Sequence, residues 1–267
     1  TDREPSASAR ALLWRTPGAQ ARGSASRPIP GSRPAAPSPP PAAGRAPSPA
    51  PSPGARAPRR FTGKPAPAAG DDARATAEKA KSLADLGTAL SQYEGCGLKA
   101  TAKNLCFYRG AEQARLMIVG EAPGRDEDLA GKPFVGRAGM LLDKMLAAIG
   151  LGEDEVHITN IVYWRPPGNR TPTPQEALAC RPFLERQTEL VGPEVVLALG
   201  GAAAKQLFDT ADGIMRLRGK WREITLGGHT ARAMATLHPA YLLRTPAAKG
   251  MAWRDLLAIK AALNPEQ

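Results

Sequence analysis

The stretch RLMIVGEAPGRDEDLAGKPFVGRAG, residues 115 to 139, decides the fold. It opens on a short aliphatic run that stops at Gly120, the pattern of a strand buried on both faces. A glycine-rich segment follows, acidic early, with Phe134 set between Pro133 and Val135. After it, AGMLLDKMLAAIGL sets Met140, Leu141, Leu142, Met145, Leu146 and Ile149 on one helical face. Strand, glycine-rich loop and helix in that order make one unit of an α/β protein.

The unit recurs downstream. VHITNIVYW (156–164) reads as a second strand, followed by the loop RPPGNRTPTP and a helix from about Pro174 to Val191. EVVLALG (194–200) is a third strand running into the helix start GGAAAKQLF. RLRGKWREITL, with a turn at Gly227-Gly228, predicts a hairpin excursion; ARAMATLH (231–238) is a fourth core strand and MAWRDLLAIKAAL a final helix. Upstream, residues 72–93 read as one helix. Alternation of this kind predicts an α/β fold: a three-layer α/β/α sandwich around a central, mainly parallel, four-stranded sheet. Working groups in such sheets gather beyond the carboxyl ends of the strands. Those ends are Gly120-Glu121-Ala122, Asn160, Gly200-Gly201 and His238-Pro239.

Composition divides the 267 residues in two. Residues 1–70 hold 16 of the 27 prolines and lack aliphatic periodicity, so they are expected to form a disordered Pro/Ala/Arg-rich tail, with residues 71–267 as the folded domain. The tail carries eleven Lys and Arg against Asp2 and Glu4, most of the chain's net charge of +11. A nearly neutral domain with a basic arm suits salt-sensitive attraction to nucleic-acid phosphates. Cys96, Cys106 and Cys180 are too few and scattered for a disulfide framework. With no stretch approaching a membrane span, a cytoplasmic, DNA-associated monomer is expected.

Several chemistries are excluded at the first loop. GEAPG does not give the GxGxxG of a dinucleotide site, and no Gly-Lys-Ser/Thr ending makes a P-loop. The acidic group Glu121, Asp126, Glu127 and Asp128 finds no further carboxylate at the other strand ends, and the single His238 there does not complete a metal site. An aromatic face (Phe134), an amide (Asn160), an imidazole (His238) and a carboxylate (Glu121) remain, the parts for gripping a flat heterocycle with polar edges.

GEAPGRDEDLAGKPFVGRAG, ITNIVYWRPPGNRTPT and LHPAYLLR together resemble the family 4 uracil-DNA glycosylases, from about Tyr93 to Leu263. The resemblance implies a monofunctional enzyme that flips uracil out of DNA and hydrolyses its N-glycosidic bond. Phe134 would stack on the base, Asn160 would read its edge, and Gly120, Glu121 and Ala122 would line the pocket. His238 would donate to uracil O2 as charge builds there, with Glu121 and Glu127 as the available catalytic carboxylates. Ala122 stands where family 1 enzymes carry a water-orienting Asp. Leu242 or Leu243 would fill the gap left by the flipped nucleotide, and Tyr241, Arg244, Arg165, Arg170 and the helix start at Gly201 would contact DNA.

The same resemblance implies a [4Fe–4S] cluster on four cysteines. The equivalent positions here are Tyr93, Cys96, Trp164 and Cys180, so only Cys96 and Cys180 offer thiolates and a cluster-free protein is expected. No lysine at a strand end suits Schiff-base lyase chemistry, and the loop RPPGNRTPTP lacks the histidine of relatives that trap their product. The alternative reading is a superfamily member that binds uracil or abasic DNA without turnover.

Overall fold

A computed structural model describes residues 69–264. The expected tail, up to residue 68, lies outside the described residues. Six strands form one sheet in the order β1-β3-β2-β4-β6-β5. They are β1 (Arg109–Gly110), β2 (Leu116–Gly120), β3 (Val156–Asn160), β4 (Val195–Leu199), β5 (Trp221–Leu226) and β6 (His229–Thr236). β3, β2, β4 and β6 run parallel, the four strands read from the sequence. The sheet is wider than those four: β1 and β5 close its two edges antiparallel.

Period-two alternation explains the layers. Leu116, Ile118, Leu197, Leu199 and Met234 face one side of the sheet, with Leu142, Met145 and Leu146 of α4 (Arg137–Ala147) and Leu256 and Ile259 of α9 (Lys249–Leu263). Met117, Val119, Val196, Ala198, Ala233 and Ala235 face the other. That face is covered by α1 (Ala69–Glu78), α2 (Leu83–Gln92), α5 (Pro174–Val191) and α6 (Gly200–Phe208). With both faces buried, a strand shows a continuous aliphatic run rather than a polar alternation.

Local chemistry corrects four expectations. The single helix over 72–93 is two, because Ser82 accepts from the Asp85 N–H at 3.1 Å and starts α2 afresh. The second strand ends at Asn160, and Ile161–Trp164 leaves the sheet as buried chain. Met140 is off the apolar face of α4 and 55% exposed. The glycine-rich stretch contains a short helix, α3 (Arg125–Ala130), ended by Gly131 at φ 69°. By contrast α5 begins where expected, with Pro174 in its first turn and a reciprocal Thr173–Glu176 cap. No helix among the described residues is long and apolar enough to cross a membrane.

Candidate base-recognition site

The parallel register brings the strand ends level: Gly120 pairs with Asn160 and Leu199 with Thr236. A Cβ on Gly120 would lie 2.4 Å from both Asn160 Oδ1 and Phe134 Cζ. Glycine at the end of β2 therefore lets the amide and the ring share one small space. Gly200, at φ 86°, does the same for the imidazole, since a Cβ there would come within 3.0 Å of His238 Cβ.

Two costly features coincide at this point. Asn160 is 1% exposed, yet neither its Nδ2 nor its Oδ1 has a hydrogen-bond partner. A buried polar group left unpaired costs about 1–3 kcal/mol. Phe134, itself buried, adopts φ 56°, a left-handed conformation that costs a bulky residue on the order of 1–3 kcal/mol. A fold tolerates such strain where something else gains from it.

His238 completes the group. Its ring lies 5.7 Å from that of Phe134, centroid to centroid, with 29° between the planes. The Ala240 N–H donates to Nδ1 at 3.1 Å, so the proton of the neutral ring sits on Nε2. Burial, helped by the charge on Arg244, pulls its pKa down to about 4. The side chain is thus a neutral N–H donor near pH 7.

The remaining expected residues divide by what they touch. Glu121 is half-buried and has no hydrogen bond or ion pair among the described residues, with Ala122 half-buried beside it. Glu127 is used structurally: Oε2 accepts from the Gly124 N–H (3.1 Å) and Oε1 from the Gly136 N–H (2.8 Å). It closes the loop that carries Phe134. On α8 (Pro239–Arg244), Leu242 is 1% exposed and packs in the core, whereas Tyr241 and Leu243 are each 37% exposed. Gly201 opens the first turn of α6 beside Gly200. Arg165 donates to Asn169 Oδ1 at 2.7 Å, and Arg170 grips Glu176 with both arms, 2.8 and 2.6 Å.

Two residues passed over in the sequence hold the Phe134 loop. Arg109 of β1 donates to the Pro133 carbonyl at 3.1 Å, and Gly139 lies against the Phe134 carbonyl, where a Cβ would be 1.6 Å away. Gly139, a glycine in the first turn of an apolar helix, was a readable signal. Arg109 gave none.

The cluster-equivalent residues converge as a packed unit. Cys180 and Cys96 have sulfurs 3.8 Å apart, and Tyr93 and Trp164 are 5% and 3% exposed in the same apolar cluster. The Tyr93 hydroxyl lies over Gly95, and its ring meets Phe183 at 4.9 Å. Two sulfurs, a phenol and an indole do not fit a four-thiolate cluster. Among the described residues no three His, Cys, Asp or Glu side chains converge to hold a metal ion.

An α/β sandwich carries an unpaired amide, a strained aromatic ring and a neutral imidazole at its carboxyl edge, groups suited to gripping a planar heterocycle. The family model of the uracil DNA glycosylase superfamily matches residues 107–257, and the chain belongs to that superfamily. It is 44% identical over 170 residues to the type-4 uracil-DNA glycosylase of Archaeoglobus fulgidus, covering 62% of this chain and 85% of that protein. To the Thermotoga maritima type-4 enzyme it is 43% identical over 153 residues, 56% and 77% of the two chains. To that of Saccharolobus solfataricus it is 38% identical over 174 residues, 63% and 81%.

Proposed function

We propose that the protein is a monofunctional uracil-DNA glycosylase that flips uracil from DNA and hydrolyses the bond between its N1 and the sugar C1′. The observation that carries this reading is the Asn160 amide, buried and unpartnered beside the Phe134 ring. Its Nδ2 donates to uracil O4 and its Oδ1 accepts from N3–H. Cytosine presents a donor and an acceptor in the reverse order, which leaves the same buried atoms unpaired and is rejected.

Phe134 supplies the stacking surface, an interaction worth about 1–3 kcal/mol per base. As the C1′–N1 bond breaks, its electron pair leaves with the base, and Nε2–H of His238 donates to uracil O2 where the charge gathers. The sugar becomes oxocarbenium-like, and the unpaired carboxylate of Glu121 stabilises it and orients the water that adds to C1′. The same carboxylate accepts the proton that water gives up, while the uracil anion is protonated from solvent on release. Gly120 and Ala122 complete the pocket wall. Glu127 braces the loop rather than touching water.

Leu243, exposed on α8, fills the gap left by the flipped nucleotide, while Tyr241, Arg244, Arg165 and the α6 start at Gly201 contact the DNA backbone. Arg170 joins them only by releasing Glu176. The site works without an iron–sulfur cluster: Tyr93 and Trp164 fill the space around Cys96 and Cys180, and packing does the structural work.

The test is an oligonucleotide carrying one uracil, scored for alkali-labile breaks. Cleavage at the uracil, with matched thymine and cytosine strands intact, is expected. Tight retention of uracil or abasic DNA without cleavage would establish the non-turnover binder instead.

A further inference from the structure

We infer that Arg109 is a positioning residue for the reaction: it fixes the strained Phe134 ring relative to the Asn160 amide. The inference rests on the proposed function only in taking Phe134 as the surface that stacks on the base. Its basis is the geometry around a conformation that phenylalanine does not adopt unaided.

Phe134 is one of three non-glycine residues at positive φ among the described residues. The peptide on each side of it is held. After it, the bare Cα of Gly139 lets the first turn of α4 press on the Phe134 carbonyl. Before it, the Pro133 carbonyl accepts from Arg109 Nε at 3.1 Å. The rest of the guanidinium is aimed by two carboxylates, Asp143 of α4 and Glu153 at 3.3 Å. The Arg109 side chain is 6% exposed, while Asp143 and Glu153 are 50% and 62% exposed. The charge is thus sunk inward from its partners towards a single backbone oxygen, an arrangement wasteful for stability alone.

Arg109 is also placed to set a distance. It pairs across the β1–β3 ladder with Ile158, two residues before Asn160 on the same strand. One end of the side chain is therefore anchored on β1, which is paired with the strand that carries the base-reading amide. The other end grips the loop that carries the stacking ring. Displacing a reacting group by about an ångström lowers rates by up to about a hundredfold, so such a spacer acts on turnover without touching substrate.

The experiment is a double-mutant cycle on single-turnover uracil excision with the full chain: wild type, Arg109→Met, Phe134→Ala and the double variant. Arg109→Met is expected to slow excision about tenfold, yet less than about twofold once Phe134 is already alanine, because its effect passes through that ring. Losses that multiply would overturn the inference and leave Arg109 a residue of general stability. Should Arg109→Met fail to fold, Asp143→Ala, at a half-exposed position, removes one of the groups aiming the guanidinium. It should give a smaller loss, of about threefold, with the same dependence on Phe134. An equal loss in both backgrounds overturns the inference. A wild-type chain that leaves uracil in place would overturn the proposed function, whereas an active wild type with multiplying losses overturns the clamp alone.

Discussion

The Ala240 N–H points at Nδ1 of His238 across 3.1 Å, and this one contact sets the tautomer of the imidazole in the site. A ring nitrogen that accepts cannot carry the proton, so Nε2 keeps it. With the pKa drawn down to about 4 by burial and Arg244, the ring stays neutral through the physiological range. The single-turnover rate should accordingly be flat from about pH 5 to pH 8, with no step near the ordinary histidine value of about 6.5. His238→Ala should lose about tenfold or more in that rate while remaining folded. A step near 6.5 would overturn the lowered pKa of His238, and unchanged cleavage by the variant would take His238 out of the reaction.

Stability should show the same shift from the opposite side. His157 is fully buried: its Nδ1 donates to the Ala111 carbonyl at 2.7 Å and its Nε2 accepts from the Gln187 amide at 2.8 Å. Burial brings its pKa to about 4. Between about pH 6.5 and pH 4 the unfolded chain takes up a proton at this residue and the native protein does not. Stability is therefore complete above the unfolded value and is lost as the pH falls, by roughly 3 kcal/mol for His157 over the whole window. Denaturant midpoints at pH 7.5 and 4.5 measure this, and His157→Gln should flatten the dependence even if it lowers the midpoint at neutral pH. An equal slope in the variant would assign the acid sensitivity elsewhere.

Asn160 sets function against stability. Its two polar atoms are buried without partners, so Asn160→Ala removes a penalty of about 1–3 kcal/mol along with some packing. The variant should melt at or above the wild-type temperature and excise uracil about tenfold more slowly or worse. A clear loss of stability with little loss of rate would mean the amide serves the loop instead of a base.

How much of this was legible in the sequence depended on how local the cause was. The four parallel strands followed from aliphatic runs, because burial on both faces leaves a plain signature, although the second run reads on to Trp164 and its strand stops at Asn160. The edge strand β1 is two residues long and exists only through its pairing with β3, so no periodicity could announce it. Phe134, Asn160 and His238 could be named from their motifs. That Asn160 is unpartnered, that Phe134 is strained and that Glu127 spends both oxygens on Gly124 and Gly136 depend on chain brought together in space. The choice between neighbouring leucines was invisible for the same reason: their sequence neighbourhood is shared, and only packing separates them.

That packing makes Leu242 and Leu243 an internal control for each other. Leu242 is buried in the core beneath α8, and truncating it to alanine should cost about 2–5 kcal/mol of stability. Leu243 is exposed at the same edge, and Leu243→Ala should change stability by less than about 0.5 kcal/mol. Its cost should fall on catalysis with duplex DNA, where a flipped nucleotide leaves a gap to fill, more than on a single strand. Comparing excision from both substrates tests the assignment. Equal losses on duplex and single strand would remove Leu243 as the wedge.

The cluster-equivalent pocket gives the most direct chemical test. A [4Fe–4S] cluster needs four thiolate-type ligands, and here Tyr93 and Trp164 stand at two of the four positions. The two sulfurs lie 3.8 Å apart, and Cys180 donates to Cys96. That hydrogen bond and burial push the Cys180 thiol well above its ordinary pKa, while the same hydrogen bond lowers that of Cys96. Tyr93 packs on Phe183 at 4.9 Å and joins α2 to α5, a tie made by aromatic contact. Protein purified without oxygen should therefore be colourless, hold no stoichiometric iron or sulfide, and excise uracil. Tyr93→Ala should destabilise the fold by about 3–5 kcal/mol, as truncation of a large buried aromatic does. Tyr93→Cys should also lower stability without conferring visible absorption, because Trp164 still denies a fourth ligand. A brown wild-type protein with near-stoichiometric iron and sulfide would overturn the cluster-free reading, and would show that ligands from outside these four positions complete the site.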